Sequence, residues 1–112
     1  MLFRSPIPED EILDNVYKNL LMREQLVDQG NQLDDLLSEE FFYISQDGRQ
    51  LNKADFQAEK SSEKSIKNFE LISISHKTKL IRYQIDDVLH TSIWRRHEHW
   101  QNIFHQETRK KD

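Results

Sequence analysis

Four apolar runs in the second half of the chain, separated by short polar stretches of two to five residues, constrain the fold more than any other feature. Phe69, Leu71, Ile72 and Ile74 form the first, and Leu80, Ile81, Tyr83 and Ile85 the second. The third spans residues 88–94 and the fourth 100–104. β-branched and aromatic residues dominate them, as expected of strands. The separators His76-Lys77-Thr78, Asp86-Asp87 and His97-Glu98-His99 are hairpin length. The pattern predicts consecutive antiparallel strands over residues 69–75, 80–86, 88–97 and 100–107, with no helix among them.

The first half has a different period. Pro8 suits a first helical turn, and Glu9, Asp10 and Glu11 suit the positive end of a helix. Ile12, Leu13, Val16, Tyr17, Leu20 and Leu21 then form one stripe at helical spacing, predicting a helix over 8–22. After a break at Gly30-Asn31, Leu33, Leu36, Leu37 and Phe41 continue a short second helix into a strand-like run, Phe41-Phe42-Tyr43-Ile44, closed by Asp47-Gly48. Asn52 is placed to cap a third helix over 53–64 by accepting the Asp55 N–H, with Phe56 as its anchor. Helices followed by hairpin strands define an α+β domain with N-terminal helices packed on one face of a curved antiparallel sheet.

Composition bounds the rest. A length of 112 residues suits one domain spanning 1–112. With no cysteine, disulfides, thiolate metal sites and a cysteine nucleophile are excluded, which agrees with a cytoplasmic setting. No run is long and apolar enough to span a membrane, and the N-terminus lacks the pattern of a secretory signal. Residues 1–60 hold 13 acids and 6 bases, whereas residues 61–112 hold 7 acids and 10 bases. The pI of about 5.7 and the absence of a dense basic face argue against a nucleic-acid partner. Arg109-Lys110-Lys111 reads as a solvated tail.

His90-Thr91-Ser92-Ile93-Trp94-Arg95-Arg96, then Trp100, then Phe104-His105-Gln106-Glu107-Thr108 closely resembles the end of a small branch of the nuclear-transport-factor-2-like, or ketosteroid-isomerase-like, superfamily. That branch is labelled domain of unknown function 4440. Leu36-Leu37-Ser38-Glu39-Glu40-Phe41 followed by Gly48-Arg49 resembles its upstream stretch. The resemblance implies a cystatin-like cone and dimerisation, but no settled reaction. His90 stands where the branch often has arginine, Tyr43 where it often has glutamate, and Glu107 where it has glycine. The acid-and-arginine pair that would most naturally be catalytic is therefore missing from the motifs.

The cone of this superfamily can enclose a pocket, which implies a small apolar ligand. Tyr43, Ser92, Trp94, Phe104 and Gln106 are its candidate ligand-binding residues. Strict alternation puts His90, Ser92 and Trp94 on one face of their strand. It likewise groups Trp100, Asn102, Phe104 and Gln106, with Ile103 and His105 pointing the other way. His105, His90 and Tyr43 are the candidates for acid–base chemistry, because imidazole titrates near neutrality and a phenol can donate to a carbonyl. A strand histidine more often bonds a neighbour structurally. His97 and His99 flank a turn and should be solvated, so no metal and no cofactor are expected. Two readings follow. One is a non-catalytic binding or interaction module, homodimeric through the sheet face the helices leave uncovered. The other is a cofactor-free isomerase, dehydratase or hydrolase acting on a small apolar molecule with a histidine base. An open cavity holding an ionisable group would favour the second, and a cone filled by side chains the first.

Overall fold

The computed structural model describes residues 13–59 and 65–109. Helix α1 runs over Leu13–Asp28, α2 over Leu33–Leu36 and α3 over Lys53–Gln57. The strands are β1 (Leu37–Ile44), β2 (Gln50–Asn52), β3 (Lys67–Ser75), β4 (Thr78–Ile85), β5 (Val88–Arg96) and β6 (Trp100–Arg109). They form one six-stranded sheet in the order β2-β1-β6-β5-β4-β3.

The four hairpin strands pair antiparallel in sequence order, as the apolar runs predict. Asp86 takes a left-handed φ of 53° in the two-residue β4–β5 turn, a conformation Asp tolerates better than most residues. Strand β1 adds something the pattern does not announce: it runs parallel to β6, pairing Tyr43 with His105 and Ile44 with Gln106.

Two helix boundaries differ from expectation. Residues 8–12 of the first predicted helix and 60–64 of the third lie outside the described residues. At its other end α1 continues past 22 to Asp28, because the stripe Val16, Leu20, Val27 continues, with Glu24 in the intervening position. All four are buried. The second helix is a single turn, and the chain turns extended at Leu37. Asn52 caps α3 as its position predicts, in a reciprocal box with Asp55. Lys53 follows, its ammonium donating to the Asp34 carbonyl at 2.8 Å and to Glu39 at 3.0 Å, which ties α3 to α2 and β1.

Helix α1 lies on the inner sheet face, where the core gathers Val16, Leu20 and Val27 with Phe41, Ile81, Tyr83, Trp94 and Trp100. The outer face carries one apolar row in register across five strands: Ile72 beside Leu80, Leu80 beside Ile93, Ile93 beside Phe104, and Phe104 beside Phe42. The Phe42 and Phe104 rings lie 5.0 Å apart. The outermost strand on that side, β3, departs from regular pairing between Lys67 and Glu70 and again between Ser73 and Ser75.

One irregularity decides the site. Ile93 pairs with Phe104 but Trp94 with Asn102, so Ile103 is an extra residue on β6. A bulge of this kind reverses the alternation beyond it. Trp100, Asn102 and His105 all turn inward and are buried, while Phe104 joins the outer row. The expectation that Phe104 and Gln106 share a face with Trp100 and Asn102 is corrected here. Gln106 lies opposite Thr91, two positions along from Phe104, on the outer face.

Asn52→Ala should lower the unfolding free energy by ~1 kcal/mol through loss of the cap, read by chemical denaturation, with no change in sheet content by circular dichroism.

Candidate functional site

Inward-facing residues of β4, β5 and β6 meet α1 at a buried carboxylate. Glu24 is fully buried. Tyr83 donates its phenolic hydroxyl to Oε1 at 3.2 Å, and Trp94 its indole N–H to Oε2 at 2.9 Å. The Ser92 hydroxyl also donates to Oε2. The helix period delivers Glu24 to the sheet, and strand alternation delivers Ser92 and Trp94 to it.

The same cluster continues into two histidines. His105 Nδ1 lies 3.8 Å from Glu24 Oε1, beyond hydrogen-bond reach. On its other side His105 Nε2 is bonded to His90 Nδ1 at 2.8 Å. Both rings are held by stacking: His105 on Tyr43, with centroids 5.4 Å apart, and His90 nearly parallel to Tyr83 at 4.8 Å.

Burial sets the electrostatics. It raises the Glu24 carboxyl from the ordinary 4.5 to about 7, against the pull of hydrogen bonds from Ser92, Trp94 and Tyr83, with Asp28 adding a smaller upward push. It holds His105 well below 6.5, and neighbouring His90 lowers it further. Burial, then the Glu24 charge, pushes the Tyr83 phenol up. Removing these groups from water disfavours whichever form is charged, so His105 is a neutral imidazole here.

Above the histidines opens a cavity of about 680 Å³. Tyr43, Phe56, Tyr83, His90 and His105 wall it. Asp28, Arg49, Glu59, Glu107 and Arg109 also contribute, so the lining is mixed rather than mainly apolar. Arg49 is within ion-pair distance of Asp47 and Glu59, and Arg109 of Asp87. Half-buried Glu107 is shifted up by burial and by Asp28.

Of the residues singled out in the sequence, the structure brings Tyr43, His90 and His105 together at the cavity. Ser92 and Trp94 lie beneath its wall on Glu24 and do not line it. Phe104 and Gln106 face away from it across the sheet, and Phe104 lines a shallow outer groove with Phe42, Ile93 and Ile103. His97 and His99 sit in the exposed β5–β6 turn, at the far end of β5 from His90. No cluster of three or more metal-ligating residues occurs among the described residues.

Sequence reasoning missed Glu24. The acid absent from the strand motifs is supplied by α1, beyond the predicted end of that helix. The available signal was a charged residue four after Leu20 and three before Val27, inside an otherwise apolar stripe.

A six-stranded cone with a helix over its concave face and a cavity at one end is the nuclear-transport-factor-2-like, or cystatin-like, fold. A calcium/calmodulin-dependent kinase II association domain, so assigned, from Exiguobacterium sibiricum superposes with a TM-score of 0.73 at 19% identity, covering 98% of this chain and 99% of that one. An NTF2-like protein from Cytophaga hutchinsonii superposes at 0.66 with 20% identity, over 93% and 99% of the two chains. A protein from Parabacteroides distasonis assigned as a ketosteroid isomerase superposes at 0.67 with 8% identity, over 96% and 95%. At such identities the likeness is one of fold. No protein-family model and no curated protein matches the sequence.

The shifted groups act in opposite directions on stability. Between pH 4.5 and about 7 the folded Glu24 binds more proton than the unfolded one, so its contribution falls as pH rises through that window. His105, lowered in the folded state, costs stability as pH falls below 6.5. Melting temperatures across this range should show both effects. In Glu24→Gln only the acid-side loss should remain.

Proposed function

We propose that this chain is a small-molecule-binding domain that works as a homodimer, with the ligand held in the cavity against Tyr43, His90 and His105. The observation that carries the reading is the cavity itself. Its volume of about 680 Å³ lies within the roughly 300–1,000 Å³ usual for small-ligand sites, and aromatic walls combine there with many polar and charged groups. The mixed lining favours a ligand with polar groups over the wholly apolar one expected from the resemblance.

A second reading, a cofactor-free enzyme with a histidine base, is favoured by one observation: the His105–His90 pair reaches the cavity wall with a carboxyl behind it. A neutral imidazole can accept a proton as it stands. The C-terminal motif supports placing the chain beside the branch labelled domain of unknown function 4440, and the lack of cysteine is compatible with a cytoplasmic setting.

Dimerisation is supported by the apolar row on the outer face, where Phe42 is 45% and Ile72 44% exposed. Similar structures include the association domain named above and a kinase hub homology domain from Chlamydomonas reinhardtii.

A thermal-shift screen of small polar and aromatic compounds should yield ligands that raise the melting temperature of the wild type. Val88→Trp, which puts bulk into the cavity lining, should abolish the shift while the free variant still folds. Ligands that stabilise both proteins equally would place binding elsewhere. Turnover of any hit, lost in His90→Gln, would decide for the enzyme.

Light scattering should give twice the 13.6 kDa chain mass, and Phe104→Glu on the outer row should shift it towards monomer. A concentration-independent 13.6 kDa species in the wild type would rule the dimer out.

A further inference from the structure

We infer that Glu24, buried beneath the cavity, is the positioning residue of a three-group proton relay, Glu24–His105–His90, through which the cavity wall exchanges a proton without forming an imidazolium. The inference builds on the cavity as a ligand site.

The geometry sets out the path. Each neutral imidazole carries one N–H and one acceptor nitrogen, and the 2.8 Å contact between His105 Nε2 and His90 Nδ1 needs one proton between them. Glu24 selects which ring supplies it. Its Oε2 already accepts from Ser92 and Trp94, and its Oε1 from Tyr83, leaving Oε1 with acceptor capacity on the side of His105 Nδ1. With Glu24 ionised, the favoured His105 tautomer carries its proton on Nδ1, towards the carboxylate. His105 Nε2 then accepts from His90 Nδ1–H, and His90 Nε2 is the basic nitrogen. With Glu24 protonated, its O–H points to His105 Nδ1, His105 Nε2–H donates to His90 Nδ1, and the proton of His90 is on Nε2.

The two arrangements differ by one added proton, with each ring changing tautomer. A proton reaching His90 Nε2 from the cavity releases the Nδ1 proton to His105 Nε2. His105 in turn releases its Nδ1 proton to Glu24 Oε1. The balance is one proton gained at the cavity wall and one neutral carboxylic acid formed in the core, with both rings neutral before and after. The last step requires the 3.8 Å gap to shorten to hydrogen-bond distance, a side-chain adjustment of roughly 0.8 Å.

The surroundings favour this storage site. Glu24 faces Tyr83 from β4, Ser92 and Trp94 from β5, and His105 from β6, with Asp28 one turn further along α1. None of these brings a permanent positive charge. A buried imidazolium would be costly in such a setting, whereas a protonated carboxyl carries no charge.

The test needs no ligand, so a failed screen and a failed relay are separate results. In isotope-labelled wild-type protein, NMR follows the Glu24 carboxyl carbon and the ring nitrogens of His90 and His105 as pH is varied. The carboxyl carbon should titrate with a midpoint of about 7. The ring nitrogens should exchange protonated and unprotonated character at the same midpoint, with no imidazolium signature. In Glu24→Gln the rings should keep one tautomer over the same range. In His105→Gln the His90 ring should no longer follow Glu24. Should either variant fail to fold, the wild-type titration decides alone. An imidazolium at either histidine with Glu24 ionised throughout would overturn the relay, as would rings that ignore the Glu24 titration.

Discussion

The convergence of three donors on Glu24 is the constraint around which the structure is arranged. A carboxyl group removed from water is tolerated only when its oxygens are occupied. Here the phenol of β4 and the hydroxyl and indole of β5 occupy them. Because these donors come from two strands and the acceptor from a helix, the contact fixes where α1 lies on the sheet and how far it has slid along its own axis. Hydrophobic burial of Val16, Leu20 and Val27 would bring the helix down, but burial is non-directional. The hydrogen bonds supply the register.

The bulge at Ile103 is the second determinant, and it bears on how much was legible in advance. Regular strand and helix periods gave away the hairpins, the Asn52 cap and the shared face of His90, Ser92 and Trp94, because each depends on local spacing. The inward turn of His105 was not legible: strict alternation set it with Ile103, away from Trp100 and Asn102, whereas it shares their buried face. That grouping depends on one extra residue, which no local pattern marks. The parallel pairing of β1 with β6 is equally non-local, since the two segments lie some sixty residues apart in sequence.

The candidate site was half visible for a related reason. Tyr43, His90 and His105 drew notice as residue types capable of chemistry. Glu24 did not, because in a chain rich in charge an acid near a helix end is ordinarily a solvated one. Its role is evident only once the helix is seen to continue to Asp28, so that Glu24 falls on the buried stripe. The histidine at position 90 also takes on meaning. An arginine there would place a fixed cation against the buried network, whereas a neutral imidazole stacked on Tyr83 leaves the proton content of the core adjustable.

Strand β3 closes the sheet on one side, and an open strand edge is a template on which further chains can add. With Ile72 and Ile74 exposed, a straight β3 would invite such growth. Its two breaks in regular pairing bend the strand near both ends. Inside the second break the ammonium of Lys79 donates to the Ser73 hydroxyl at 2.7 Å and the Ser75 carbonyl at 2.6 Å. A curved edge bearing an inward-held cation pairs poorly with a flat newcomer. The outer row can therefore stay apolar enough to meet another surface face to face while the sheet resists lengthening sideways into a fibril.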